Sequence, residues 1–396
     1  MDFRKLFLWI FLLGWLAFDG QQAAVAQDAA FVGESRAIYS YGQSVRFMLQ
    51  GETAVPFSQA SLSFQAVEFA SPFTVDFADI TDETIALEYQ FDLSGDNRLL
   101  PFTTVTYWWD LVDENGNVFH VPARTFYYED TQFVWESAAD ELVTVYWRGG
   151  NVQLGRAALA IVQESQQRIS QLLPAAEEEP IQVYIYPSSA DLRASLRLNG
   201  VDWDEQYLAP ALDVVLVTAV NPRTAVSDLQ QSIPHELTRL RLARLTAPHA
   251  DALPLWLLEG IAVRMEKRPN PTYKSVLETA VSNQATMPFT DLCEQLPASV
   301  NGRMLATAQS ADLIRYIQEQ YGNQKIRDLV DAYAEGVDCT RGVENSLNLS
   351  LPTLNQNWLD TYQIRMPLLQ FLIDNSIWFW LILGILVLMV LLIWKV

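Results

Sequence analysis

The hydrophobic pattern of this chain changes once, near Trp135, and the change divides it into two predicted domains. Before that residue, segments such as SVRFMLQGE and TIALEYQFDL alternate apolar and polar side chains over the length of a strand. Asn115-Gly116 lies between two alternating runs, which is a strong hairpin signal. Several short strands predict an antiparallel β-sandwich of immunoglobulin-like (Ig-like) architecture over residues 30–135.

The region after Trp135 has a mixed pattern that predicts a second domain over residues 140–364. LVTVYWRGG, IQVYIYP and LDVVLVTAV have the length and apolar content of strands, whereas NVQLGRAALAIVQESQQRISQLL has the period of a helix. After LDVVLVTAV the pattern is helical with loops. Strands followed by a run of helices predict an α+β fold.

Both ends of the chain carry apolar runs that indicate membrane targeting. Arg4 and Lys5 precede the first run, and AVA before Gln27 is a small-x-small cleavage site. Residues 1–26 are therefore expected to form a secretory signal peptide, with an uncleaved anchor as the alternative. The second run, residues 377–394, holds 18 residues without a charge. A helix of that length spans roughly 27 Å, which predicts a single transmembrane helix.

These two segments predict where the protein resides. A signal peptide and a C-terminal anchor place the bulk of the chain on the extracytoplasmic side of the cell membrane, with a short cytoplasmic end at Lys395. The chain has 47 acidic and 26 basic side chains and a formal net charge of -21. Because nucleic-acid binding needs a basic surface, we expect no nucleic-acid partner.

Cys293 and Cys339 are the two cysteines of the chain. In an oxidising compartment such a pair is expected to form a disulfide, so we predict a bridge between them. Two buried free thiols are the alternative.

The segment HELTR, from His235 to Arg239, differs by one letter from the zinc-binding motif His-Glu-x-x-His. Helix positions four apart lie on one face, so two histidines at this spacing can hold one zinc ion. The glutamate after the first histidine then activates a bound water. A third ligand must come from elsewhere, and the predicted helix LPLWLLEGIAVRMEK carries Glu259 twenty positions after Arg239.

The combination of PHELT and LPLWLLEGIA resembles the peptidase MA-like family of gluzincin metallopeptidases. The similarity extends over residues 142–362 and takes in VTVYW, VYIYPSSADL, NPTYKSVLETAV, AQSADLIRYIQEQYG and NQNWLDTY. The resemblance implies a thermolysin-like fold. It also implies that His235 and Glu259 occupy metal-ligand positions and that Glu236 occupies the position of the general base.

Arg239 departs from the family pattern at the position of the second zinc-binding histidine. Arginine stays protonated and has no lone pair for a metal, and its fixed charge disfavours a dication. His235 and Glu259 alone are fewer than the three protein ligands of a catalytic zinc site. We therefore expect no cofactor, an ion pair of Arg239 with Glu259 or Glu236 in place of the metal, and a vestigial Glu236. Zinc is expected only if the site is functional.

Three functions from different classes follow from these residues. The first is a pseudopeptidase that binds a peptide or a protein partner at the membrane surface. The second is an active metal-dependent peptidase with an atypical site, which the retention of His235, Glu236 and Glu259 would support. The third is a structural or adhesive surface protein whose β domain carries the activity.

Overall fold

The computed structural model describes residues 31–393 apart from 68, 79, 81–83, 95–96 and 200–211. Of residues 363–374 and 386–393 it describes only the helical backbone. The chain forms two compact units. The first holds the described residues up to Phe133 together with those between Arg193 and Glu205, and the second holds the remainder from Val134 onward.

The first unit consists of two antiparallel sheets, which confirms the antiparallel β structure predicted for it. Their strand orders are β1-β2-β5 and β4-β3-β6-β7. The strands are β1 (Phe31–Ser40), β2 (Ser44–Thr53), β3 (Phe57–Gln65), β4 (Phe73–Ala78), β5 (Thr84–Asp92), β6 (Thr103–Asp113) and β7 (Val118–Tyr128).

Strand β6 shows why this part of the sequence folds as a sheet. Its side chains alternate along the strand, so that Val105, Tyr107, Trp109 and Leu111 are all buried in the core of the unit. The turn to β7 falls at Asn115-Gly116, as predicted. There the carboxylate of Asp113 accepts the backbone N–H groups of the turn, and Gly116 has the positive φ of 84° that glycine adopts without strain.

The second unit has the α+β order expected from its sequence pattern. Its sheet has the order β11-β10-β9-β8, with β9, β10 and β11 parallel and β8 antiparallel. The sheet region contains β8 (Glu136–Ala139), β9 (Val143–Trp147), α1 (Val152–Leu172), β10 (Ile181–Tyr186), α2 (Ser189–Leu198) and β11 (Val215–Thr218). The helices that follow are α3 (Ala225–Thr246), α4 (Leu255–Met265), α5 (Thr272–Ser282), α6 (Val300–Tyr321), α7 (Asn323–Ala334), α8 (Cys339–Leu347), α9 (Leu351–Asp374) and α10 (Ser376–Ile393).

One hydrophobic core joins the sheet of the second unit to α3 and α4. Val183 and Val217 of the sheet lie in the same buried cluster as Ile233 of α3 and Trp256 of α4. The predicted disulfide is confirmed, because Cys293 and Cys339 are bonded and their Cα atoms are 5.9 Å apart.

The described residues 193–199 group with the first unit. Buried polar contacts explain this grouping. Ser195 Oγ lies 3.0 Å from the hydroxyl of Tyr41, and the hydroxyl of Tyr128 donates to Asn199 Oδ1 at 2.7 Å.

The two predicted membrane-targeting segments have different outcomes. The signal peptide predicted at residues 1–26 lies outside the described residues. Helix α10 covers most of the apolar run at 377–394, and its side chains are described only as far as Ile385. In the part of the chain that the structure describes, no helix is both long enough and apolar enough to cross a membrane.

Candidate functional site

Helix α3 presents the three residues of the HELTR motif that the sequence singles out. His235 and Arg239 are four positions apart and therefore share one face of the helix. The side chain of Arg239 is only 2% exposed, whereas that of Glu236 is 28% exposed. The arginine is thus a core residue of the site, and the glutamate lies at its edge.

Pro234 gives α3 an unusual connection to α4. A proline inside a helix has no N–H to donate, which leaves the carbonyl oxygen of Gln230 without its usual helical donor. The backbone N–H of Lys267, two residues beyond the end of α4, donates to that oxygen at 3.1 Å. The C-terminal end of α4 is therefore fixed against the turn of α3 that leads to His235.

Helix α4 brings Glu259 to the site and packs closely on α6. Gly260 permits this approach, because a Cβ atom there would lie 2.6 Å from the carbonyl oxygen of Ser310. The neighbouring Glu259 has a side chain that is 9% exposed and faces α3.

The four site residues named from the sequence meet in one cluster, in which Arg239 and Glu259 are buried. His235 Nε2 lies 3.5 Å from Glu259 Oε2. Arg239 Nε lies 3.7 Å from Glu259 Oε1, and Arg239 Nη1 lies 3.3 Å from Glu236 Oε1. Arg239 therefore forms an ion pair with both glutamates that we considered as its partners.

Glu266 is a further member of the cluster that the sequence analysis missed. His235 Nδ1 lies 2.9 Å from Glu266 Oε1, and the Glu266 side chain is 2% exposed. A signal for this residue does exist. Glu266 directly follows α4 and lies seven positions, or about two helical turns, after Glu259, so the spacing indicates that the two carboxylates lie on the same side of that helix.

The charges of the cluster shift the pKa values of its members. Burial alone would lower the pKa of His235, but hydrogen bonds to Glu259 and Glu266 more than offset it and raise that pKa to about 10. Burial would raise the pKa of Glu259, yet Arg239 and His235 hold it at about 2. The cluster at neutral pH therefore contains a protonated His235 beside ionised Glu259.

The pKa values of Glu266 and Tyr273 are shifted mainly because burial removes both side chains from water. Burial raises the pKa of the Glu266 carboxyl, and the bond to His235 acts against this rise. Burial also raises the pKa of the Tyr273 hydroxyl, and the nearby carboxylates of Glu266 and Glu259 raise it further. Tyr273 thus belongs to the surroundings of the cluster, although the motif does not include it.

The residues present do not fit a catalytic zinc ion. Among the described residues, no group of three or more histidine, cysteine, aspartate or glutamate side chains is arranged to hold a metal. Arg239, four positions after His235 on the same face of α3, has no lone pair to donate to a metal. The remaining histidine of this unit, His249, lies elsewhere, with Nδ1 3.0 Å from the carbonyl oxygen of Ala334.

Comparisons with solved structures give only distant similarities. A two-domain M1 zinc metallopeptidase mutant bound to L-arginine has 12% identity over 80% of this chain and 89% of its own, with a TM-score of 0.37. The M1 zinc metallopeptidase from Deinococcus radiodurans has 12% identity over 80% and 88%, with a TM-score of 0.34. A polysaccharide deacetylase from Bacillus cereus has 7% identity over 48% and 60%, with a TM-score of 0.21. TM-scores as low as these support no conclusion about the function of this chain.

The sequence comparisons are more informative. No curated protein sequence matches the chain. The sequence profile of the Peptidase MA superfamily matches residues 161–363, which is just over half of the chain and includes the whole charged cluster on α3 and α4. The chain therefore belongs to the Peptidase MA superfamily.

Proposed function

We propose that this protein is a pseudopeptidase, a membrane-anchored extracytoplasmic protein that binds a peptide or a protein partner without cleaving it. The observation that carries the proposal is the position of Arg239. Its buried guanidinium lies between Glu236 and Glu259, where the family pattern requires the second zinc-binding histidine. The ion pair takes the structural role of the metal in linking α3 to α4.

The charges at the site oppose the binding of zinc in place of the ion pair of Arg239, even when zinc is added to the solution. A buried ion pair that loses one partner leaves an uncompensated charge, which costs about 3–5 kcal/mol. A zinc ion at the same place would have to displace or approach the guanidinium of Arg239, which repels it. Raising the zinc concentration is therefore not expected to load the site.

The end strand of the sheet offers a place for an extended peptide. Strand β11 pairs with β10 on one side, and no described strand pairs with its other side. A peptide can add to such an edge through backbone hydrogen bonds, and this mode of binding needs no catalytic group. The proposal therefore assigns peptide capture to β11.

The proposed location rests on the disulfide and on the sequence. Disulfides form and persist outside the cytoplasm, and Cys293 is bonded to Cys339. The charge-free run at 377–394 supplies the proposed anchor, and residues 1–26 supply the proposed signal.

The deciding experiment is elemental analysis of zinc in the full-length protein beside its Arg239→His variant. We expect no zinc in the parent and about one zinc per chain in the variant, since histidine restores a three-ligand set with His235 and Glu259. Near-stoichiometric zinc in the parent would overturn the proposal.

An active peptidase with an atypical site is the second candidate, because His235, Glu236 and Glu259 are retained together. In that case Glu236 would act as the general base, and the protein would cleave members of a broad peptide library. The assay adds zinc, cobalt or manganese to the full-length protein. Cleavage that disappears in Glu236→Gln would favour this candidate over the pseudopeptidase.

A further inference from the structure

The corner between α4 and α5, residues 264–274, concentrates positive charge in a strongly acidic chain. It holds four basic side chains and a single acidic one, whereas the whole chain has a formal net charge of -21. All four basic residues are exposed, and they are Arg264, Lys267, Arg268 and Lys274. The acidic member, Glu266, has a side chain that is only 2% exposed. The charged side chains that solvent meets at this corner are therefore basic.

The two arginines of the corner have no carboxylate partner in the part of the chain that the structure describes. Arg264 Nε donates to the neutral side chain of Gln318, at 3.3 Å from Oε1. Arg268 lies three residues beyond the end of α4 and forms no ion pair with a described residue. The planar guanidinium group presents several donors that match the oxygen atoms of a phosphate group. Both arginines can therefore bind an anionic partner without breaking an existing ion pair.

The two lysines of the corner are paired only at the surface. Lys267 Nζ lies 2.7 Å from Glu164 Oε2, and Lys274 Nζ lies 3.9 Å from Glu278 Oε1. The side chains of both pairs are more than a third exposed, and exposed ion pairs contribute little to stability. An anionic surface can therefore compete with these glutamates for the lysines.

The backbone of the corner is fixed by prolines and by one side chain. Pro269 and Pro271 restrict φ on either side of Asn270. Asn270 Oδ1 accepts the backbone N–H of Thr272 at 3.0 Å and the hydroxyl of the same residue at 2.7 Å. Because the backbone is ordered before a partner binds, less conformational entropy is lost on binding.

Helix α9 is held beside this corner. Tyr362 of α9 lines one cavity together with Arg264 and Lys274. The Tyr362 hydroxyl and Trp358 Nε1 both donate to Asp312 Oδ2, at 2.6 and 2.9 Å. Because Asp312 belongs to α6, these bonds fix α9 against the helix that packs on α4 and α5.

The same helix leads from the corner to the proposed membrane anchor. From Tyr362, α9 continues for twelve residues to Asp374, and α10 begins at Ser376. Twelve helical residues rise roughly 18 Å. The headgroup layer extends about 5–7 Å beyond the hydrocarbon on each side of a bilayer. An inclination of α9 to the membrane therefore brings the basic corner to the headgroups.

From these features we propose that the corner docks on anionic phospholipid headgroups of the membrane that anchors the chain. Arg264 and Arg268 bind headgroup phosphates, and Lys267 and Lys274 add electrostatic attraction. The contact orients the second unit on the membrane, because the acidic remainder of the chain is repelled by the same surface. The proposal rests on the membrane anchor of the proposed function and goes beyond it, since it involves neither β11 nor Arg239.

Reconstitution of the full-length protein with two kinds of vesicle tests the proposal. One kind is phosphatidylcholine alone, and the other contains about 30% phosphatidylglycerol as the anionic probe. Flotation isolates the vesicle-bound protein, and a membrane-impermeant acetylating reagent then modifies its lysines. Lys274, which is 84% exposed, reports on the corner, and Lys325 of α7 is the reference within the same molecule.

Anionic vesicles should protect Lys274 from acetylation. Relative to Lys325, we expect its reaction to be at least about fivefold slower with phosphatidylglycerol present, since the attraction of even one basic side chain to an anionic surface corresponds to about that factor. Sodium chloride at about 0.5 M should remove the difference because it screens exposed charges.

A double variant locates the contact, and a matched double variant is the control. Arg264→Gln/Arg268→Gln should make the acetylation of Lys274 the same with both kinds of vesicle, because the phosphate-binding groups are gone. Arg156→Gln/Arg223→Gln removes two exposed arginines elsewhere in the second unit and should leave the protection unchanged.

The docking proposal is overturned if Lys274 reacts equally with the two kinds of vesicle, or if its protection survives high salt or Arg264→Gln/Arg268→Gln. Flotation reports separately on the anchor. A protein that floats with both vesicles without protection of Lys274 keeps the anchor and loses the docking contact. A protein that floats only with anionic vesicles keeps the contact and loses the anchor, and flotation with neither overturns both.

Discussion

The backbone N–H of Lys267 donates to the carbonyl oxygen of Gln230 at 3.1 Å and joins the end of α4 to α3. This bond is possible because Pro234 leaves that carbonyl without its helical donor. The residue before Lys267 is Glu266, which the bond places against His235. A backbone irregularity in α3 thus determines part of the composition of the charged cluster.

Replacing Arg239 by methionine should destabilise the fold strongly. Glu236 and Glu259 would lose their shared cation while Glu259 stays buried, and we expect a loss of about 3–5 kcal/mol in the free energy of unfolding. Urea denaturation measures this loss. Arg341→Met is the matched control, because the ion pair of Arg341 with Asp338 is exposed and its removal should change stability by less than about 1 kcal/mol. Equal effects of the two variants would contradict the structure.

The pKa of His235 should fall when Glu259 is replaced by glutamine. The carboxylates of Glu259 and Glu266 raise it to about 10, and the variant retains only one of them while burial still favours the neutral imidazole. The chain has three histidines, so their imidazole signals can be followed by NMR as a function of pH. A pKa of His235 near its ordinary value in the parent would show that the ion-pair geometry is wrong.

Stability should depend on pH at both ends of the range. The folded-state pKa of His235 is raised to about 10, so its contribution is complete below about pH 6.5 and is lost as the pH rises through 10. The pKa of Glu259 is lowered to about 2, so its contribution is present above about pH 4.5 and is lost as the pH falls through 2. Unfolding free energies at a series of pH values measure both slopes. Glu259→Gln should reduce the acidic slope.

Gly260 should tolerate no larger side chain. A Cβ atom there would lie 2.5 Å from Ile314 Cγ1 and 2.6 Å from the carbonyl oxygen of Ser310, so Gly260→Ala forces α4 away from α6. We expect a loss of about 1–3 kcal/mol in urea denaturation. Gly384→Ala is the control, since no described atom lies within 4 Å of its Cβ position. An unchanged stability of Gly260→Ala would show that the two helices are farther apart.

The disulfide should stabilise the second unit by restricting the unfolded chain. Cys293 and Cys339 are 46 residues apart, and a loop of that length corresponds to about 4 kcal/mol in the chain-entropy model. The double variant Cys293→Ser/Cys339→Ser should lose stability of that order in denaturant unfolding. The unfolded parent should show no free thiol until a reductant is added, and two reactive thiols without reductant would disprove the bridge.

The sequence by itself determined the elements of this protein and four members of its cluster. Alternation in β6 and the helical period of α3 are local patterns, so they predict a strand and a helix without knowledge of the rest of the chain. The same locality places His235 and Arg239 on one face of α3, and the spacing to Glu259 follows the family pattern. Charge alone then predicts that Arg239 pairs with a glutamate.

Only the tertiary structure decided which distant groups complete the site. The seven-residue spacing from Glu259 indicates that Glu266 lies near that residue, but its contact with His235 depends on the bond that fixes the end of α4 to Gln230. The described residues 193–199 group with the first unit through Tyr41 and Tyr128, which are far away in the sequence. Local periodicity fixes which face a side chain occupies, whereas packing between segments fixes what that face meets.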